Sequence, residues 1–435
     1  MVKALRAEDA ACLVSQISGH HGFIDYTDTR TQHRIVTAFP LKSWQVPRDQ
    51  PAFSELATEI EKAWKKYALP EDQPTAGGIA GTLFYESGNL TVPGFSGRYR
   101  TDSGNYGYIG LYLWQLTLDT SGTEPPRLDF HPDCDSNTRA RVLALVGQGR
   151  RHSAPFKISE SFTAEQSAEH YRNGVSAVLR YIHAGDCYQV NLSNKYVGSY
   201  QGPPYSAFQA LCQAIPVPHA AYVDAGPYQV LSISPELFLS IQQGRKVVSK
   251  PIKGTRPRDL MSPENDQRIA ESLAAAEKDR AENLMIVDLI RNDLSKFCEP
   301  FSVSVPQLFS IESYENVHQL VSTVEGRLRP DSTPFRALLS AFPGGSITGA
   351  PKRRAMEIID SLEQHSRGPY CGSVFRWDFA NNLESNIAIR TLMTDSAGLI
   401  HCWAGCGIVA DSDPDDEYRE SVDKVRKLMD VLENL

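Results

Sequence analysis

Two pairs of carboxylates stand three residues apart in segments with helical periodicity. Asp279 and Glu282 form the first pair, and Glu417 and Glu420 form the second. Residues at positions i and i+3 lie on one face of a helix. Two such pairs facing each other would supply the carboxylate oxygens that Mg²⁺ prefers. Acidic residues also stabilise the positive end of a helix dipole, so the spacing alone leaves solvated helix ends as the alternative.

A basic segment, residues 251–258, contains a lysine that could act as a nucleophile. Lys253 is close in sequence to Lys250, Arg256 and Arg258. Burial and neighbouring cations favour the neutral amine that a nucleophilic attack requires. The same positive charges could instead bind an anion. The residues alone therefore leave both a nucleophile and an anion-binding strand open.

A glycine-rich segment, residues 343–352, leads into a predicted helix. Free N–H groups at a helix N-terminus bind anions, and Ser346 and Thr348 add hydroxyl donors beside Gly349. The residue order differs from that of a Walker loop. We interpret the segment as a carboxylate-binding nest, with a tight turn before a capped helix as the alternative.

Three further residues favour the binding of a carboxylate. Gly405 and Gly407 follow a predicted strand, where glycine permits a ligand to approach the backbone closely. Arg390 belongs to a neighbouring predicted strand, and a guanidinium can hold a carboxylate with two hydrogen bonds. These residues indicate an anionic substrate.

Helices and strands that must position these residues alternate without a regular rhythm. One helix is predicted to begin after Thr163, with Gln166 completing a capping box. Further helices are predicted at 262 onward, 279–294, 351–362 and from 415 onward. Period-two alternation predicts strands at 188–192, 229–234, 246–250, 317–324, 372–375, 386–392 and 399–403. Many β segments without a βαβ repeat favour an α+β architecture.

The length of 435 residues suits two domains or one large one. Residues 1–125 carry few chemical signals, and the polar stretch 119–135 is typical of a domain edge. Residues 160–435 contain all the candidate site residues named above. We therefore expect a catalytic domain over 160–435, with the N-terminal region packed against it.

Composition argues against several classes of function. A net charge of -8 argues against nonspecific nucleic-acid binding, and no apolar run approaches the roughly 18 residues of a membrane helix. The N-terminus lacks the core of a secretory signal, so we expect a cytoplasmic protein. The eight cysteines are scattered along the chain without the regular spacing of a disulfide framework, and they are expected to be free thiols. His401, Cys402 and Cys406 lack the second ligand pair of a zinc site.

Nine ordered segments together resemble the chorismate-utilising enzymes, which include anthranilate, aminodeoxychorismate, isochorismate and salicylate synthases. The resemblance is strong over residues 160–435 and weak before them. The matching segments are GDCYQVNLS (185–193), SPELF (234–238), PIKGTRPR (251–258), AENLMIVDLIRNDL (281–294), VHQLVSTVEG (317–326), PGGSITGAPKRRAMEIID (343–360), GPYCGS (368–373), NIAIRT (386–391) and AGCGIV (404–409).

The resemblance implies a large α+β domain with two packed, mainly antiparallel β-sheets and helices outside. It implies that Glu282 and Glu420 bind Mg²⁺, while Asp279 and Glu417 hold metal-bound waters. His318 matches a catalytic histidine near the C4 hydroxyl of chorismate. The implied substrate-binding residues are Tyr370 and Arg390 at the enolpyruvyl carboxylate, Gly405, Gly407 and Lys424 near the ring carboxylate, and Gln189, Ser346, Thr348 and Gly349.

Two positions distinguish the activities within this family. Isochorismate and salicylate synthases carry a lysine base where this chain has Gln189, and a neutral amide cannot activate water. Anthranilate synthases usually carry alanine at the position of Lys253, whereas aminodeoxychorismate synthases carry lysine. The resemblance therefore implies that Lys253 attacks C2 of chorismate, that Glu236 acts as general acid, and that ammonia then enters at C4.

Two alternatives share this fold. The first is anthranilate synthase component I, which aminates chorismate at C2. The second is a noncatalytic protein that binds chorismate or tryptophan. Lys253 disfavours the first, and the intact acidic pairs together with Lys253 and Gln189 disfavour the second.

Ammonia and tryptophan are the remaining expected partners. None of the eight cysteines lies in the G-x-C-x-G turn of a glutaminase, so we expect a separate glutaminase subunit to supply ammonia. Some relatives bind tryptophan between the N-terminal region and a proline-rich strand. Ser15, Pro218, His219 and Ala220 loosely match that site.

Overall fold

A computed structural model describes residues 2–70, 76–98, 104–151, 154–314 and 316–435. Among these residues, no helix combines the length and the apolar character that crossing a bilayer requires.

Strands outnumber helices in the described chain. The helices are α1 Ala7–Ile17, α2 Gln50–Tyr67, α3 Gly88–Thr91, α4 Ser136–Leu145, α5 Ala168–His183, α6 Pro204–Ala214, α7 Pro263–Ala275, α8 Glu277–Ser295, α9 Pro334–Ala341, α10 Lys352–Leu362 and α11 Pro414–Glu433. Short 3-10 turns lie at Tyr85–Ser87 and Gly345–Ile347.

The strands are numbered in the same way. They are β1 Val2–Ala4, β2 Ile24–Asp28, β3 His33–Thr37, β4 Lys42–Gln45, β5 Gly78–Leu83, β6 Gly107–Tyr112, β7 Trp114–Asp119, β8 Arg127–Phe130, β9 Lys157–Ala164, β10 Gln189–Gln201, β11 His219–Asp224, β12 Tyr228–Ser234, β13 Leu237–Gln242, β14 Lys246–Ser249, β15 Ile252–Pro257, β16 Ser304–Ser313, β17 Val317–Arg327, β18 Gly349–Ala350, β19 Ser373–Asp378, β20 Leu383–Asn386, β21 Thr391–Asp395 and β22 Leu399–Ile408.

The strands form two antiparallel sheets. The first has the order β1-β8-β7-β3-β2-β11-β12-β21-β22-β10-β18, with β9 also pairing with β10. The second has the order β15-β17-β14-β13-β20-β19-β5-β6-β4, with β16 also pairing with β17. Strands from before residue 131 and after residue 156 share each sheet. The division at 125 and 160 therefore does not separate the sheets, and a boundary between domains stays a prediction.

One buried core joins the two sheets. It contains side chains from both, and the rings of Phe84 and Tyr228 meet with centroids 5.1 Å apart. Helices cover the outer faces: the rings of Trp64 on α2 and Trp377 on β19 stack at 4.5 Å. A second apolar cluster packs α5 and α10 against β10 and β22. The α+β fold with two packed sheets and outer helices, expected from the sequence, is confirmed.

Helix α5 begins later than the predicted capping box. Thr163 lies in β9, and the side chain of Ser167 accepts the N–H of His170 at the first turn. The predicted cap at Thr163 and Gln166 is therefore wrong. Strand β9 continues through Thr163 because this residue pairs with Val197 on β10. Pairing between distant segments thus overrides a local capping signal.

The predicted strand over 386–392 is interrupted in its middle. Asn386 ends β20 in the second sheet, and Thr391 begins β21 in the first. Between them the chain crosses from one sheet to the other, and Arg390 has a positive φ of 50°. Apolar spacing does not reveal such a crossover, since both flanking segments are strands.

We expect Ser167→Ala to lower the free energy of unfolding by about 1 kcal/mol, because the variant removes the acceptor for the His170 N–H. Thr163→Ala changes an equally exposed hydroxyl that caps no helix, and its effect should stay within about 0.5 kcal/mol. Urea unfolding followed by circular dichroism measures both variants. Equal losses would contradict the cap at Ser167.

Candidate active site

A cavity of about 550 Å³ lies where both sheets meet α8 and α11. Many of the residues predicted for the site line it. They are Glu236, Lys253, Asp279, Glu282, Ser346, Tyr370, Arg390, Gly405, Gly407, Glu417, Glu420 and Lys424.

Both carboxylate pairs project from helices that border this cavity. Asp279 and Glu282 lie in the first two turns of α8, and Glu417 and Glu420 lie near the start of α11. Burial raises the pKa of Glu417, whose Oε1 accepts the Ser412 hydroxyl at 2.6 Å. The i, i+3 spacing thus presents each pair to the same space.

The basic residues of β15 compensate the charge of the carboxylates on α8. Lys253 Nζ lies 3.6 Å from Glu282 Oε2, and Arg256 Nη2 donates to Asp279 Oδ2 at 2.9 Å. The side chain of Lys253 is 20% exposed, so its amine faces the cavity rather than bulk water. The arrangement places a primary amine beside the acidic wall.

Glu236 supplies a second titratable group to the cavity. It is buried at the end of the loop before β13, and burial raises its pKa to about 7, although Lys253 opposes the rise. The Ser346 hydroxyl lies 3.4 Å from Glu236 Oε1. A carboxyl with a pKa near neutrality can hold a proton and give it to a leaving group.

Arg390 is available to bind an anion. Burial lowers the pKa of its guanidinium, and no carboxylate of the described chain forms an ion pair with it. Its positive φ of 50° follows from the crossover between the sheets. The buried Tyr370 hydroxyl lies close to the backbone of Gly405, where a Cβ would come within 2.8 Å of it. The absence of a side chain at 405 therefore lets β10 and the Tyr370 hydroxyl pack directly against this strand.

Lys424 on α11 links the carboxylates to the glycine strand, which is the part of β22 that contains Gly405 and Gly407. Its Nζ donates to Gly405 O at 3.1 Å and lies 2.8 Å from Glu420 Oε1. Burial opposes its charge, yet Cys406 and Glu420 together raise its pKa above the ordinary value. A cation is therefore held permanently beside Gly405 and Gly407.

The glycine-rich segment is built mainly by internal contacts. Thr348 Oγ1 donates to Gly344 O at 2.9 Å, and Gly349 has a positive φ of 133° where it pairs with β10. Lys352 Nζ donates to Asp293 Oδ2 and Ala341 O, so its charge anchors α10 to α8. Of this segment, Ser346 and Ile347 line the cavity, and the predicted carboxylate nest at Thr348 and Gly349 stays untested.

His318 and Gln189 were also predicted for the site, but neither is among the residues that line the cavity. The two ring nitrogens of His318 contact Ser313 Oγ at 2.8 Å and Asp266 Oδ1 at 2.9 Å. Its neighbour Gln319 faces the cavity instead, because side chains alternate along β17. The catalytic role of His318 stays a prediction.

Gln189 is buried behind the glycine strand. A Cβ at Gly407 would lie 2.8 Å from its Nε2, and neither polar atom of the amide has a hydrogen-bond partner within the described ranges. An amide in this state has unused donor and acceptor capacity next to the cavity wall.

Sequence reasoning missed several cavity residues. Asn191 follows Gln189 by two positions on β10, so the two side chains share a face, and that alternation was the available signal. Thr255, Gln319 and Ile389 lie inside the matching segments but were given no role, and Lys278 and Trp403 lie outside those segments.

The residues predicted for tryptophan do not line one common space. Ser15 on α1 accepts the Arg151 N–H and lines a separate groove near the N-terminus. His219 and Ala220 are buried in β11, and His219 Nδ1 lies 3.5 Å from Glu384 Oε1. Pro218 lies just before that strand. A tryptophan site at these residues stays a prediction.

The donor set fits Mg²⁺. Four carboxylates border one cavity, and hard oxygen ligands with room for water and substrate are what this ion requires. Cys406 Sγ lies within 4.8 Å of ligand oxygens of Glu417 and Glu420, but a thiol is a soft ligand that Mg²⁺ does not use. His401 contacts Asp395 at 3.0 Å, away from this set.

Comparison with known proteins gives this geometry a family. The family model for chorismate binding enzymes matches residues 21–430. The chain belongs to this family.

The chain is also similar to individual members. Aminodeoxychorismate synthase component 1 of Salmonella typhimurium is 40% identical over 414 residues, which cover 94% of this chain and 88% of that protein. The protein of the same name from Klebsiella aerogenes is 44% identical over 326 residues, covering 75% and 70%. The crystal structure of anthranilate synthase component I from Streptococcus pneumoniae has a TM-score of 0.78, with 25% identity and 92% of each chain covered.

Stability should depend on pH through Glu236. Its pKa is about 7 in the folded protein, and an unfolded glutamate titrates near about 4.3. The folded state therefore binds an extra proton between these values, and its stability falls as pH rises through that window.

We expect Glu236→Gln, which keeps the shape and cannot ionise, to flatten that fall between about pH 5 and 7. At pH 8 it should be more stable than the wild type by about 1–3 kcal/mol. Urea unfolding at constant ionic strength measures both slopes. If the free energy of unfolding depends on pH with the same slope in both proteins, the pKa of Glu236 is not raised by folding.

Proposed function

We propose that this chain aminates chorismate at C4 with ammonia and gives 4-amino-4-deoxychorismate for 4-aminobenzoate synthesis. The observation that carries this proposal is the joint presence of the Lys253 amine and the Glu236 carboxyl in one cavity. Similarity to aminodeoxychorismate synthase component 1 of two bacteria supports it. Arg390 and Lys424 supply positive charge for the two carboxylates of the substrate. The carboxylate pairs can hold Mg²⁺ beside one of these carboxylates.

Binding of chorismate uses two positive regions of the cavity. Arg390 and Tyr370 hold the enolpyruvyl carboxylate, because the guanidinium is free of ion pairs among the described residues and can donate two hydrogen bonds. Lys424, with Gly405 and Gly407 on the same wall of the cavity, lies near the ring carboxylate. The two anchors orient the ring between Lys253 and Glu236.

Glu282 and Glu420 would hold Mg²⁺ in this proposal, and Asp279 and Glu417 would hold its waters. When bound, the ion neutralises the ring carboxylate near a wall that is otherwise acidic. In the structure Lys253 lies next to Glu282 and Lys424 lies next to Glu420. Each lysine can turn from its carboxylate to the substrate when the ion binds the carboxylate.

The neutral amine of Lys253 begins the reaction by attacking C2 of the ring. The two conjugated ring double bonds each move by one position, the C4–oxygen bond breaks, and Glu236 gives its proton to the departing hydroxyl, which leaves as water. Ammonia then attacks C4, both double bonds move back, and the Lys253–C2 bond breaks. The amine of Lys253 and the carboxyl of Glu236 recover their starting states once the ammonium proton is transferred.

Gln189 helps to favour ammonia over water as the incoming group. A neutral amide cannot take a proton from water, and its polar atoms, buried behind Gly407, have no hydrogen-bond partner among the described residues. Hydration of the ring at this wall therefore lacks a base.

A separate glutaminase subunit supplies the ammonia in this proposal, in keeping with the words "component 1" in the names of the relatives. A cytoplasmic location and a bound tryptophan stay predictions from the sequence. Amination at C2, the activity of an anthranilate synthase, is the rival outcome of the assay below.

Lys253→Ala should reduce formation of aminodeoxychorismate by about 100-fold or more, because the displacement at C2 loses its nucleophile. The assay contains chorismate, Mg²⁺ and ammonium, with products separated by chromatography and identified by mass. Added aminodeoxychorismate lyase converts the expected product to 4-aminobenzoate. In the wild type without ammonium, intact mass should show the protein plus chorismate less one water.

Lys250→Ala is the matched control. Lys250 lies three residues away and pairs with Glu312 at 2.8 Å outside the cavity, so its loss should change the rate less than twofold. Undiminished amination by Lys253→Ala would refute the covalent step, and anthranilate from the wild type would refute C4 amination.

Glu420→Gln should weaken metal binding by about tenfold or more, because it replaces a charged ligand with a neutral one. Mn²⁺ substitutes for Mg²⁺ and is detected by its paramagnetic resonance, so binding is read without turnover. Glu357→Gln on α10, where Glu357 pairs with Arg353, serves as the control and should match the wild type. Equal Mn²⁺ affinity in all three proteins would place the metal elsewhere.

A further inference from the structure

A buried arginine lies directly behind the cavity wall. Arg367 follows α10 and is 1% exposed. Its guanidinium forms a two-armed pair with Glu363: Nε donates to Oε2 at 2.9 Å, and Nη2 donates to Oε1 at 2.6 Å. Burial would raise the pKa of Glu363, but Arg367 outweighs it and holds that pKa below its ordinary value. The pair is therefore ionised inside the protein.

The same guanidinium also holds three pieces of the cavity wall. Nη2 donates to Asn191 O on β10 at 2.6 Å, and Nη1 donates to Ile347 O in the glycine-rich segment at 3.3 Å. The ring of Tyr370 lies 5.8 Å from the guanidinium carbon. Asn191, Ile347 and Tyr370 all line the cavity. One side chain thus fixes three separate segments relative to each other.

Contacts of Glu363 connect the ion pair to the glycine strand as well. Glu363 Oε1 accepts the Ser193 N–H at 2.8 Å and its hydroxyl at 2.7 Å. Ser193 pairs with Gly405 across β10 and β22. On the other side, Glu86 Oε1 accepts the N–H of Arg367 at 2.8 Å, which fixes the backbone from which the arginine projects.

We infer that Arg367 is a positioning residue for the amination reaction, holding β10, the Ser346–Ile347 turn and Tyr370 in the register that the substrate needs. The inference rests on the proposed function. Arg367 touches neither the substrate pocket nor the reacting atoms. It acts through Ser346, which contacts Glu236, and through Tyr370, which faces Gly405.

Arginine suits this role and lysine does not. A guanidinium has five donors in a rigid plane, so it can serve a carboxylate and two carbonyls at once. Lysine keeps the charge but provides one rotating ammonium, which cannot reach Asn191 O and Ile347 O together with both oxygens of Glu363. The conservative substitution therefore separates charge from geometry.

Arg376 offers a matched comparison in the same chain. It is also buried, donates to Gln115 Oε1 at 2.8 Å and Gly77 O at 3.2 Å, and lies 3.7 Å from Asp28. Neither Arg376 nor these three partners line the cavity. Replacing either arginine by lysine disturbs a buried network, but only one of the two networks supports the active site.

The experiment compares Arg367→Lys and Arg376→Lys with the wild type at a temperature where all three are folded. Both variants should unfold at lower urea concentration. We expect kcat/KM for chorismate to fall by about 10- to 100-fold in Arg367→Lys, because misplacement of catalytic groups by about 1 Å costs up to about 100-fold. Arg376→Lys should stay within twofold. Equal losses in both variants, or none in Arg367→Lys, would overturn the positioning role.

Glu363→Gln keeps the test valid if Arg367→Lys does not fold. The amide retains one acceptor oxygen for Ser193 but weakens the two-armed pair with Arg367. The value of kcat/KM should therefore fall at least about threefold, and an unchanged value would overturn the inference. Chorismate binding by calorimetry accompanies the kinetics. A wild type that binds chorismate without aminating it would refute the proposed function, while the affinities of the two lysine variants would still decide the role of Arg367.

Discussion

The carboxylates of α8 and α11 face Lys253 and Lys424 across a cavity that no single element could build. Like charges on one wall repel each other, and Lys253 at 3.6 Å from Glu282 and Lys424 at 2.8 Å from Glu420 offset that repulsion. Both helices, β15 and β22 must therefore converge on one point, and the packing of two large sheets is what brings them there.

Helical spacing predicted that each carboxylate pair shares one face, because its residues lie on regular elements. The roles of most other site residues came from the family resemblance, since spacing alone left solvated helix ends and an anion-binding strand as alternatives. His318 was named by the family resemblance, and its catalytic role stays a prediction; on β17 its neighbour Gln319 is the residue that lines the cavity, because successive side chains of a strand point to opposite faces. The correct phase depends on pairing with β15 and β16, which no local pattern contains.

Two other features depend on contacts between distant segments. Arg390 reaches the cavity from a crossover between the sheets, although its surroundings have the composition of a continuous strand. The glycine-rich segment has the motif of an anion nest, yet Thr348 and Lys352 use their polar atoms to bind other parts of the chain. In both places the tertiary structure determines which of the predicted residues have polar groups left for a ligand.

The position of β10 has a consequence for how the protein is made. This strand lies between β9 and β22 and is also bonded to β18, so a partner arrives only with residues 349–350 and another with residues 399–408. During translation, its edge stays open while some 200 residues emerge from the ribosome, and contacts of such long range form slowly. The nascent chain should therefore depend on chaperones that shield exposed strands, and premature termination near the 3′ end of the message would leave an aggregation-prone polypeptide rather than a weakened enzyme.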